Sequence, residues 1–194
     1  MQRKTFDRLM SSIGLLLTVV LVVAGALLTW AHYFVHHEVH KQLSQQQIYF
    51  PPKGSPAIAA PEFKAMRQYA GEQLTTGAQA QTYADHFIAN HLKEIGGGKT
   101  YAQLSSAAQA DPTNTKLAAT VETVFKGQTL RGLLLNAYAF DTMATIAGIA
   151  AICAFVAALV MLVLSGLGLW HSGRVKPAET IFAGHPATAP PATD

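Results

Sequence analysis

Twenty-nine consecutive residues between Arg8 and Glu38 carry no formal charge, and 32 more follow between Asp141 and Arg174. Each run exceeds the roughly 20 residues that an α-helix needs to cross ~30 Å of hydrocarbon. The apolar stretches inside them, Ile13 to Val35 and Thr145 to Trp170, are apolar around the whole helix circumference. Lipid-facing helices have that character, whereas amphipathic surface helices do not. Trp30 and Tyr33 near the end of the first stretch, and Trp170 at the end of the second, stand where an interfacial aromatic belt would. The runs also account for much of a composition only 13% charged, about half the ~25% of an ordinary soluble domain. An ordinary soluble enzyme and a disordered chain are both excluded.

A secretory leader is the competing reading of the first stretch. Arg3, Lys4 and Arg8 make a basic start, and Ala24-Gly25-Ala26 resembles a cleavage site. The apolar run continues through Leu28 and Trp30 to Val35, too long for a leader's roughly 7–15-residue apolar core. An uncleaved anchor is therefore expected. Basic residues set its direction, because short flanking tails decide orientation while long loops translocate largely regardless of charge. Arg3, Lys4 and Arg8 precede the first span, and Arg174 and Lys176 follow the second. The segment between holds nine basic and eight acidic residues over more than 100 positions. The expected layout is a cytoplasmic tail over 1–12, transmembrane helices over 13–35 and 145–170, an extracytoplasmic helical domain over 36–142, and a disordered cytoplasmic tail over 171–194. The fold class is all-α, two transmembrane helices flanking a small helical domain, in the plasma membrane. The net charge of +3 then reports topology and not nucleic-acid binding, which needs a basic stripe on one face.

Within the central segment, Val39 and Leu43 extend the first helix two or three turns beyond the apolar run, and the prolines at 51, 52, 56 and 61 break it. Pro61 begins a helix carrying Phe63, Met66, Tyr69, Ala70 and Leu74. Another runs from about Ala78 to Ile95, stopped by Gly96-Gly97-Gly98. Thr100 caps a short helix to Ala110, and Asp111-Pro112 reads as the start of a helix that Gly127 ends. No segment alternates with the period of two that a strand requires.

Chemistry-bearing patterns are few. His32, His36 and His40 recur every four residues along one helix face. Neutral imidazole is a good ligand for transition metals, and these three are the candidate metal ligands. Three on one straight helix span ~12 Å and cannot converge on one ion without ligands from elsewhere. The alternatives are a pH-responsive contact, or an interfacial helix end where His, Trp and Tyr tolerate the headgroup zone. His91 falls on the apolar stripe of its helix and reads as a core or partner-facing histidine. The single Cys, Cys153, lies in the second span and excludes a disulfide framework and any CxxC motif. No nucleophile motif, phosphate loop or HExxH is present, and neither span holds the Asp, Glu, Lys or Arg that an ion or proton path would normally use. No catalytic residue and no cofactor are assigned.

Ala147, Ala151, Ala154 and Ala158 form a small-residue stripe at spacings of four and three, with Ala144 and Gly148 alongside. Such stripes let helices approach closely in lipid. The partner is either the first helix, through Gly14, Thr18, Gly25 or Thr29, or a larger membrane protein. The partners expected are thus membrane lipids together with a larger membrane complex or further copies of the chain, and not nucleic acid.

Taken together, MQRKTFDRL, QQQIYFPPKGS, YADHFIANHLKEI, DPTNTKL and LRGLLLNAYAF resemble a family of small actinobacterial two-pass membrane proteins. Members of that family often carry the label aromatic ring-opening dioxygenase. The resemblance covers Met1 to the second span and implies the topology and an envelope location. The label implies non-haem iron held by two His and a carboxylate, and it carries over no residue of this chain. The leading expectation is a non-catalytic accessory or scaffolding subunit. An extracytoplasmic metal- or ligand-binding sensor comes next, then a non-haem iron dioxygenase.

Overall fold

The computed structural model describes residues 3–174. Two long helices, α1 (Arg3–Gln45) and α5 (Thr115–Arg174), contain the two apolar runs, and both are long and apolar enough to cross a membrane. Between them lie 3-10 turns at Pro56–Ile58 and Pro61–Tyr69, then α2 (Gly77–Thr82), a π-helical segment (Tyr83–Ile88), α3 (Ala89–Ile95) and α4 (Tyr101–Ala110). The described residues contain no strand, only an isolated bridge between Tyr49 and Gln73. The expected tail over 171–194 lies outside the described residues from 175 onward, and its first four residues continue α5.

The chain forms two compact units, one from the segment through Thr29 together with that from Ile149, the other Trp30–Gly148. In the first unit the buried residues are small. Ser11, Gly14, Thr18 and Gly25 of α1 are buried, as are Ala151, Ala158, Ser165 and Ser172 of α5. A β-carbon on Gly14 would overlap Ser165 Oγ, and one on Gly25 would come within 2.9 Å of the Phe155 ring. Close backbone approach is what glycine permits here. The buried Thr18 hydroxyl donates to the Gly14 carbonyl at 2.9 Å, so its own helix satisfies it in surroundings without water. Leu16, Val19, Leu27, Ile152, Leu159 and Val163 are exposed, the inverse of a soluble helix pair.

The second unit has a conventional core. Val39 and Leu43 of α1, Phe50, Ile58, Phe63, Met66, Leu74, Ile88, Leu92, Leu104, and Val124 and Leu134 of α5 bury together. The segment from Pro61 is a 3-10 helix ending at Tyr69 rather than an α-helix reaching Leu74. Phe63, Met66 and Tyr69 are three apart, so three residues per turn put them on one face. The Arg67 guanidinium then donates to the Ile58, Ala59 and Ala60 carbonyls at 2.9, 2.5 and 3.0 Å. Gly71 turns the chain at φ 81°, after which the Leu74 N–H donates to the Ile48 carbonyl and the Phe50 N–H to that of Glu72.

Thr100 caps α4 as expected, in a reciprocal box with Gln103. Two other expected boundaries move. Asp111 closes α4, and Asn114, whose Oδ1 accepts from the Leu117 N–H at 3.0 Å, starts α5. Gly127 does not end that helix, which runs on to Arg174. A β-carbon there would overlap Leu92 Cδ2, so the glycine admits a core side chain from α3.

Candidate functional site

The histidine face of α1 lies in the second unit, beside α5. His32 Nδ1–H donates to the Ala144 carbonyl at 2.7 Å, and His36 Nδ1–H to Asp141 Oδ1 at 2.7 Å. His36 Nε2 stands 3.4 Å from Thr145 Oγ1, and the hydroxyl donates to the Asp141 carbonyl. The two imidazoles meet edge to face with centroids 4.6 Å apart. Gly77, the first residue of α2, covers the carboxylate, since a β-carbon there would come within 2.7 Å of Asp141 Oδ2. Gly148 does the same for His32, whose Nδ1 lies 2.8 Å from the β-carbon position.

His40 does not join this cluster. It is exposed, and its carbonyl accepts from Ser44 Oγ. The three candidate ligands therefore do not converge, as the ~12 Å span along one helix requires. Among the described residues no three His, Cys, Asp or Glu side chains are grouped to hold a metal ion. His32 Nδ1 is spent on the α5 backbone and His36 Nδ1 on Asp141 Oδ1, so the two imidazoles tie α1 to α5.

Sequence reading missed Asp141 and Thr145 as partners of the histidines. A signal for them exists. In an antiparallel pair of spans, the residues that close the first stand level with those that open the second, and His36 and Asp141 are such a pair.

A second polar contact organises the π segment. Arg131 of α5 donates from Nη2 to Asp85 Oδ1 at 2.7 Å and from Nε to the Ala84 carbonyl at 3.3 Å. The Ala89 N–H reaches back five residues to that same carbonyl. Asn90 Nδ2 and His91 Nδ1 donate to the His86 and Phe87 carbonyls, each at 2.7 Å. Side chains thus occupy acceptors that a widened turn leaves poorly paired. His91 also packs against Phe87 and Phe63 with tilted rings, centroids 4.3 and 5.8 Å away, the aromatic setting expected of a histidine on an apolar stripe. Nearby, burial pushes the Tyr83 phenol above its ordinary pKa.

Of the small-residue stripe, Ala151 and Ala158 are buried and Ala147 and Ala154 half-buried. Ala144, Ala151, Ala158, Ser165 and Ser172 are all buried and recur every seven residues, the repeat of a coiled-coil seam. No protein-family model matches the chain, and no curated protein or solved structure matches it at a significant level.

Proposed function

We propose that this chain is a two-pass plasma-membrane protein with both termini in the cytoplasm and the helical unit between the spans outside. In this reading it is a non-catalytic accessory or scaffolding subunit of a larger membrane or cell-envelope assembly. The observation that carries the reading is the distribution of side chains on the two apolar helices. Within their uncharged runs, what they bury is small and neutral, and the large apolar side chains are mostly exposed. That distribution serves packing against lipid and neighbouring helices. Basic residues before the first span and after the second supply the orientation.

The histidines fit the same reading. His32 and His36 tie α1 to α5 where the chain would leave the bilayer, which makes the hairpin rigid at its outer edge. A metal-binding sensor or an iron oxygenase would instead need imidazoles directed at a shared centre.

The test is extraction of the native chain from its membranes in polymer-bounded lipid discs, followed by mass determination and metal quantification. Co-elution with a defined integral membrane protein is the expected result. Recovery of the 20.7 kDa chain alone in every extraction would refute the subunit reading. Stoichiometric iron or another transition metal would move the assignment to one of the metal-dependent alternatives.

A further inference from the structure

An apolar groove of about 380 Å³ opens along the second unit between α1 and α5, lined mainly by Val39, Leu43, Leu130, Leu133, Ala137 and Phe140. Its polar lining groups, Gln42, Gln46 and Asn136, are uncharged. Leu130, Leu133 and Phe140 are 40%, 60% and 57% exposed, which is unusual for large apolar side chains grouped together.

Height along the helices decides what can cover them. The pairs His32–Ala144 and His36–Asp141 show that α1 and α5 run antiparallel here and mark one common level. On α1 the last exposed large apolar residue is Phe34, and beyond it His37, His40 and Lys41 are exposed. At 1.5 Å rise per residue, Lys41 stands about 14 Å above His32, while Leu133 and Leu130 stand about 17 and 21 Å above Ala144. The two leucines are thus higher than a charged residue on the neighbouring helix. Acyl chains end well below them, and water is a poor neighbour for such side chains.

Resting on the subunit reading above, we infer that this groove receives a membrane-spanning helix of another protein, one that continues about three turns past the bilayer. Leu130, Leu133, Ala137 and Phe140 follow one another at spacings of three, four and three, the pattern that accepts a helix carrying apolar residues at the same intervals. Four side chains cover far less than the ~800 Å² per partner of a stable interface. The remaining contact must come from within the membrane, where α5 exposes Met143 and Ile146. A soluble partner lacks that surface. A second copy carries that surface as well, and the identity of the crosslinked peptide separates it.

A photo-crosslinking residue placed at Leu133 or at Phe140 tests this in native membranes, with Lys41 and Gln45 on the outer face of α1 as control positions. The expected result is an adduct from 133 and 140, absent from 41 and 45, with one integral membrane protein. Mass spectrometry should place the crosslinked peptide in a transmembrane helix or within about three turns of its end. An adduct of two copies of this chain, an adduct with lipid alone, or no adduct overturns the inference. A partner that co-elutes in lipid discs without crosslinking at 133 and 140 overturns it while leaving the subunit reading intact. Recovery of the chain alone overturns both.

Discussion

Gly127 and Gly132 are five residues apart on one helix, outside the uncharged run, and a β-carbon has opposite consequences at the two sites. Relative to alanine, glycine inside a helix costs roughly 0.5–1 kcal/mol through the entropy of the unfolded chain. At Gly132 a β-carbon meets nothing within 4 Å, so Gly132→Ala should collect that gain in full, about 0.5–1 kcal/mol. At Gly127 the same atom would overlap Leu92 Cδ2 and come within 3.1 Å of Cγ and 3.2 Å of Cδ1. Leu92 is only 7% exposed and belongs to the core, so it cannot swing into solvent. Overpacking of this kind costs about 1–3 kcal/mol, which exceeds the propensity gain. Gly127→Ala should therefore destabilise, leaving the two variants about 1–3 kcal/mol apart. For a chain of this size each kcal/mol moves Tm by about 2–4 °C. Thermal unfolding followed by circular dichroism in lipid discs reads the order: Gly132→Ala above the native chain, Gly127→Ala below it. Coupling supplies a second check. Leu92→Ala should cost less in the Gly127→Ala background than alone, because the alanine fills part of the vacated volume. Equal stabilisation by the two glycine substitutions would refute the reasoning, since propensity alone would then govern both positions.

Two further expectations follow from polar groups. The His36–Asp141 contact joins half-buried side chains, 34% and 21% exposed, so a double-mutant cycle with His36→Ala and Asp141→Ala should return a coupling of about 1 kcal/mol; additive effects would show that the contact contributes nothing. Tyr83 has its phenol pKa raised by burial. Its protonated form is favoured by the fold, so its contribution is constant below the ordinary value of 10.0. That contribution is lost as pH rises through the folded value, because the unfolded chain ionises first. In an ultraviolet titration of the folded protein, Tyr83→Phe should delete a tyrosinate that appears above pH 10.0, and loss of one that appears below it would contradict the burial assignment.

Some local signals were legible because they need only a few residues of context. Thr100 caps α4 through hydrogen bonds that lie within one turn, whereas the spacing of Phe63, Met66 and Tyr69 suits an α-helix as readily as the 3-10 face it forms. Gly127 was misleading for the converse reason. A glycine that stops a helix and one that admits a distant leucine look alike until Leu92 is known to lie against it. Asp111-Pro112 misplaced the start of α5, because the side chain that reaches the Leu117 N–H is that of Asn114. Arg131 and Asp85 are 46 residues apart, with no periodicity to connect them, so neither the ion pair nor the π segment it supports was visible along the chain.

Charge spacing by itself determined that this protein contains two helices long and apolar enough to cross a membrane, because hydrocarbon thickness sets a length and desolvation forbids charge within it. It also determined that small residues line one face of the second helix. Only the tertiary structure decided what those faces meet. It put His32 and His36 against Ala144 and Asp141, left His40 aside, carried α5 through Gly127, and left Leu130 and Leu133 exposed above a charged level. The physical reason is one of range. Helix length and lipid solubility are sums over neighbouring residues, whereas pairing, clash and exposure depend on atoms that the sequence separates by dozens of positions and the fold brings within a few ångströms.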